Sequence, residues 1–291
     1  MRTDYRRIRR FPGRVAGILL LAGFPCGLGA AGPVFDLEPY TVRNGPVIEE
    51  IDLTRSGEAL TRVGREQIHT LGAGDLAAAL RRVPGVTISR YNVVGAFGGG
   101  DGGAVFIRGQ GSGRPGAQIV TLTDGIPRFV GVWTHPLLDT LPTDFSSAIE
   151  VHKSAQPVRY GNMSFGAVNM VPARAVEDGW SGSTRIEYGS WDTRSLLASA
   201  AYRDEEANLH AALSRRESDG HRPDASGEVT AGQLRAAWAT RSGWDLSFLA
   251  QGVSSDALDP GREGETLPVV GRYEIDNHFI LAGAGRRAGD W

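Results

Sequence analysis

From Thr184 onward the chain alternates apolar and polar residues in steps of two. Thr184, Ile186 and Tyr188 stand against Arg185, Glu187 and Gly189. Leu196, Ala198, Ala200 and Tyr202 make a second apolar file, Leu209, Ala211 and Leu213 a third, and Leu234, Ala236 and Trp238 a fourth. The clearest file is Trp244, Leu246, Phe248 and Ala250 against Asp245, Ser247 and Gln251. Successive side chains of a strand point to opposite faces, so each segment reads as a one-sided strand. Turn residues between the files divide residues 173–291 into about six strands. A membrane β-barrel has this pattern, with lipid outside and water inside, and so does a soluble β-sandwich. Periodicity alone leaves both open.

The N-terminus bears on that choice. Arg2, Arg6, Arg7, Arg9, Arg10 and Arg14 surround a single acid, Asp4, and precede the apolar run Val15 to Ala22. Gly29, Ala30 and Ala31 then supply small residues for cleavage. A basic segment, a short apolar segment and a small-residue exit define a secretory signal peptide, expected over residues 1–31. The run is broken by Gly23, Pro25 and Gly27, short of the ~20 apolar residues that a spanning helix needs. The single cysteine, Cys26, lies inside this segment, so the mature chain has no disulfide or thiolate metal site. Loss of the signal removes six arginines and one aspartate, moving the formal charge from −2 to −7. An acidic exported chain is not built to hold nucleic acid.

Residues 32–62 are polar, contain proline and lack sustained periodicity; they read as an extended arm. Residues 63–172 are mixed α and β and dense in glycine. Asp75 precedes Leu76, Leu80 and Val83, a short amphipathic helix that Pro84-Gly85 must end. Val86 to Ser89, Ala104 to Ile107, Gln118 to Thr123, Ile149 to His152 and Ala167 to Met170 are strand candidates. Gly111, Gly113 and Gly116 satisfy G-x-G-x-x-G, a dinucleotide-binding spacing. That spacing has meaning only where a helix N-terminus follows to face the anion. Here a β-branched segment follows, ending at Asp124-Gly125, so the glycines are assigned to positive φ and close backbone packing.

Four segments carry a family resemblance: "LGAGDLAAALRRVPGV" (Leu71–Val86), "VFIRGQG" (Val105–Gly111), "TLTDGIP" (Thr121–Pro127) and "AIEVHKSAQPVRYGNMSFGAVNMV" (Ala148–Val171). In order and spacing they resemble the plug domain of TonB-dependent outer-membrane receptors. Ser154-Ala155 stand where the family usually has Gly-Pro, and Val171-Pro172 interrupts the β-run that often leads into the barrel. The resemblance implies an α+β plug domain over residues 63–172, followed over 173–291 by antiparallel transmembrane β-barrel strands. The family's barrel has ~22 strands of ~10 residues, more than residues 173–291 can supply. The expectation is therefore an incomplete barrel, the N-terminal part of a receptor.

Function follows from the same resemblance: energised uptake of a scarce ligand, such as a siderophore, haem, cobalamin or a similar chelate, across the cell outer membrane. The implied partners are the TonB energy-transducing complex, outer-membrane lipid and an extracellular small molecule. Asp36, Leu37, Glu38, Pro39, Tyr40, Thr41 and Val42 look like the TonB box, an extended peptide suited to adding a strand to a partner sheet. Two irregular loops are expected to face ligand, one through Tyr91 and Asn92, the other through Arg128, Phe129, Trp133 and His135. Arg108, in "FIRG", is expected on an interior strand, where it would need a barrel carboxylate. No cofactor, metal centre or catalytic constellation is expected. The six histidines are scattered without H-E-x-x-H, and no G-x-S-x-G elbow is present. The alternatives are a non-functional receptor remnant and an exported β-rich hydrolase.

Overall fold

The computed structural model describes residues 51–53, 59–88, 92–96, 105–112, 118–128, 138–155, 165–259 and 271–286. All of them belong to one compact unit, residues 45–291. The TonB-box residues 36–42 lie outside the described residues, as do Tyr91, Phe129, Trp133 and His135.

The first half is the expected α+β domain. β1 (Ile51–Leu53), β2 (Ala59–Gly64), β6 (Ile119–Thr123), β7 (Ile126–Pro127), β8 (Ser146–His152) and β9 (Gly166–Pro172) form one sheet in the order β1-β2-β8-β9-β6-β7. β6 runs parallel to β9, and all five of its residues are buried. A smaller sheet joins β3 (Val86–Ile88), β4 (Val105–Ile107) and β5 (Gln110–Ser112). Helix α1 (Arg65–Thr70) follows β2, and α2 (Leu76–Leu80) buries Leu76, Ala77, Ala79 and Leu80. Asp75 caps α2, its Oδ1 accepting from Ala78 N at 2.8 Å. The helices and both sheets share a core that includes Val63, Ile68, Leu80, Val105, Ile107, Ile149 and Val168.

Two expectations need correction. The sheet begins inside the segment read as an extended arm, because β1 and most of β2 lie before residue 63. β2 is held by pairing with β8, some ninety residues away, which local composition does not report. Pro172 does not break the β-run but ends it: it is the last residue of β9, opposite Ser146, beside a register shift.

The glycine-rich stretch forms no nucleotide turn. β4 is followed by β5, not by a helix. Gly111 sits in β5 at φ 142°, where an added Cβ would overlap the Val105 carbonyl. The expected turn at Asp124-Gly125 is present, both residues at positive φ (52° and 79°), closing β6 onto β7.

The second half is a six-stranded antiparallel meander in sequential order: β10 (Gly179–Gly189), β11 (Thr193–Arg203), β12 (Ala207–Ser218), β13 (Gly227–Ala239), β14 (Trp244–Asp259) and β15 (Gly271–Arg286). Its strands form an open wall, not a closed barrel. The predicted apolar files all lie on one face: Leu213 is 67% exposed, whereas its neighbour Ala212 is 5% exposed against the α+β domain. That outer face carries Trp180, Tyr202, Trp238 and Trp244 near the end where strands join by the short turns 204–206 and 240–243. The Trp180 and Tyr202 rings lie 5.0 Å apart. Toward the other end the apolar band gives way to ion pairs, Arg215–Glu228 at 3.0 Å and Arg272–Asp256 at 2.6 Å. An apolar band with aromatic residues at its border is the surface a lipid bilayer requires of a strand wall.

Candidate functional site: the seam between domain and wall

The inner face of the wall is small and polar, and the α+β domain is seated on it. Alternation places Ser195, Leu197, His210, Ala212, Ser214, Ala231, Gln233, Gln251 and Val253 inward, all buried. Gln251 Nε2 donates to Gln233 Oε1 at 2.8 Å, which satisfies amides that apolar neighbours would leave unpaired. Between these polar groups, Phe145 of the α+β domain is 1% exposed and packs against Leu197, Ala212, Ala231 and Val253. One aromatic ring thus anchors the domain in a shallow apolar patch of the wall.

Three arginines span the seam. Arg216 on β12 forms an ion pair with Asp144, its side chain 16% exposed and that of Asp144 7%. The same guanidinium donates to the Gly74 carbonyl, and its Nε donates to Ser195 Oγ at 3.2 Å. Burial pushes the Asp144 carboxyl up, against the downward pull of Arg216. Arg235 on β13 reaches Asp124 at 3.5 Å and donates to the Pro172 carbonyl at 3.3 Å. Arg128 comes from the domain side. It is 7% exposed and donates to Thr140 O at 3.3 Å and to Asn277 Oδ1 at 2.7 Å. Its guanidinium lies 4.3 Å from the centre of the Phe279 ring. No carboxylate pairs with it among the described residues, and burial pushes its pKa down. Asn208 on β12 completes the seam by bonding both the N–H and the carbonyl of Ala175, fixing the chain as it leaves the domain.

These contacts revise the site expected from sequence. Arg128 and Asn92 are not displayed on open loops. Asn92 is 2% exposed and donates to the Leu258 carbonyl of β14. A buried amide and guanidinium must find acceptors, and the wall supplies them. Arg108 is not on an interior strand. It occupies the exposed turn between β4 and β5 at φ 51°, with its N–H on the Gly85 carbonyl. Its charged neighbour is Lys153, whose ammonium is pushed down by burial and then by Arg108. Asp144, Phe145, Arg216 and Arg235 were missed. The available signal was an arginine at an inward position of a strand whose outward positions are Leu209, Ala211 and Leu213.

Residues 52–168 match the TonB-dependent Receptor Plug Domain. No match was found among curated proteins. Among solved structures, the chain is similar to P. aeruginosa FpvA in a complex with a heterologous pyoverdine (TM-score 0.65, 14% identity, 81% of this chain and 32% of that one). It is also similar to the ferric-catecholate import receptor Fiu from E. coli K12 (TM-score 0.54, 18% identity, 73% and 30%). A third is the ferric yersiniabactin uptake receptor FyuA from Yersinia pestis (TM-score 0.53, 18% identity, 69% and 32%). The chain spans about a third of the length of these receptors. Residues 52–168 thus match the plug domain of TonB-dependent receptors, and with β10–β15 as the barrel-type wall on which that domain is seated, the chain shares the fold of these receptors.

Proposed function

We propose that the chain is the plug and leading wall of an outer-membrane receptor that takes up a scarce metal chelate, of the ferric siderophore kind, with energy from the TonB complex. One observation carries this reading: the plug is fastened to the polar face of a wall whose opposite face is an apolar band. Such a wall separates lipid from a filled interior. The three similar structures are described by their pyoverdine, catecholate or yersiniabactin ligands, which supports an iron chelate as cargo. The short-turn end of the wall is the periplasmic end in barrels of this type. The long connection 219–226 then faces outward, and with the segments bearing Tyr91, Phe129, Trp133 and His135 it is the proposed ligand surface.

The arm before β1 is the proposed coupling contact, through Asp36 to Val42. An added strand pairs by its backbone, so proline should break it and alanine should not. In the full-length receptor, Val42→Pro is expected to abolish energised accumulation of ligand while cell-surface binding persists, and Val42→Ala to change neither. Normal accumulation by Val42→Pro would place the coupling contact elsewhere. Loss of surface binding as well would make the arm structural.

A further inference from the structure

Besides the seam, plug and wall border a second polar space, a cleft open to solvent. A cavity of about 240 Å³ lies between the start of α1, the segment 174–177 and the inner faces of β10 to β12, at the short-turn end of the wall. It is lined by Arg65, Arg174 and His210, by the hydroxyls of Ser183 and Ser199, and by one acid, Glu177. Ser183 Oγ and Ser199 Oγ lie 2.9 Å apart, and His210 is 3% exposed with Nδ1 3.4 Å from the Gln233 amide.

The charges around this space do not balance. Arg235 pairs with Asp124 and Arg185 with Glu187, but Arg65 and Arg174 have no carboxylate within ion-pair distance among the described residues. Burial, and then the nearby Arg185, push the Arg65 guanidinium down, the direction expected of a partly desolvated cation facing another cation. Cations held close around a polar space are most stable when an anion sits between them. Arginine presents a planar fork of donors that suits carboxylate and phosphate oxygens, and serine hydroxyls add donors at fixed positions.

We propose that this cavity is a binding site for a small oxyanion, a carboxylate or phosphate group carrying at least two negative charges, held by Arg65 and Arg174 with the Ser183 and Ser199 hydroxyls. The volume equals that of about eight water molecules, enough for a phosphate or for one acidic arm of a larger molecule but not for a whole chelate. The site is distinct from the outward-facing ligand loops and does not depend on the transport reading.

The test is titration of inorganic phosphate and of citrate into the purified full-length protein in detergent micelles, followed calorimetrically at low salt and again at about 0.15 M salt. Saturable binding of either anion is expected, weakened about tenfold or more by Arg65→Gln and by Arg174→Gln, and unchanged by Arg194→Gln on the outer face. Arg174 is exposed, so its variant remains informative even where Arg65→Gln lowers the thermal midpoint. A preference for citrate marks a carboxylate-bearing molecule as the source of the anion, and a preference for phosphate marks the free ion. Absence of saturable binding, or equal affinity in the wild type and both cavity variants, overturns the proposal.

Discussion

Arg216 of the wall holds two separate loops of the plug at once, pairing with the Asp144 carboxylate while donating to the Gly74 carbonyl. Gly74 adjoins the cap of α2 and Asp144 precedes β8, so this single side chain ties the plug's helix to its sheet and both to β12. Removing one member leaves the other charge buried and uncompensated, at a cost of about 3–5 kcal/mol. Arg216→Leu should therefore lower the denaturant midpoint of plug release strongly. Adding Asp144→Leu should recover most of the loss, because the stranded charge goes with it. Denaturation in detergent micelles, with plug proteolysis as the readout, measures both; an additive double variant would show that the pair is not coupled.

Arg128 should behave differently from Arg216. Its burial costs desolvation with no carboxylate in return, and its gains are bonds to Asn277 and to the Thr140 carbonyl and the face of Phe279. Arg128→Met, which keeps the stem and removes the charge, is expected to change stability by less than about 1.5 kcal/mol. Arg108→Met, in an exposed turn, should fall within about 0.5 kcal/mol of the wild type. Both values come from the same denaturation series, and a large loss for Arg108→Met would mean that its turn has an unrecognised partner.

Phe145 is the apolar counterpart of the arginine ties. Phe145→Ala removes the ring from the patch made by Leu197, Ala212, Ala231 and Val253 and leaves a cavity at the seam. The expected loss is about 3–5 kcal/mol. Phe145→Leu should recover part of it, and a tryptophan placed at this position should report plug release by fluorescence. A midpoint unmoved by the alanine change would show that the ring adds nothing to seating.

Gly111 tests the reading of the glycine-rich stretch. At φ 142° with the Val105 carbonyl beneath it, Gly111→Ala meets both backbone strain and overlap, costing about 1–3 kcal/mol. Nucleotides should not protect either form. Thermal melting with and without ATP or NAD separates the two readings, since a stabilising shift would restore a phosphate role for the loop.

The sequence by itself determined the elements and the face each wall strand turns outward. A period of two is a local property, and every file from Leu196 to Ala250 lies on the lipid-type face for that reason. Asp75 likewise set the start of α2, although the helix ends at Leu80, short of Pro84-Gly85, and Asp124-Gly125 set the turn from β6 to β7, through backbone preferences of single residues. The tertiary structure decided which arginine matters. Arg108 and Arg128 each follow a short β-segment, and only the seating of the plug buries Arg128, half-buries Arg216 and Arg235 against their partners, and leaves Arg108 in a solvent-facing turn. It also decided that β2 pairs with β8, and β6 with β9 in parallel, contacts between segments far apart in the chain. Burial and charge pairing across such distances are sums over neighbours that no local pattern contains, so the elements could be read from residues in order, and the pairing of distant strands and the seam only from residues in space.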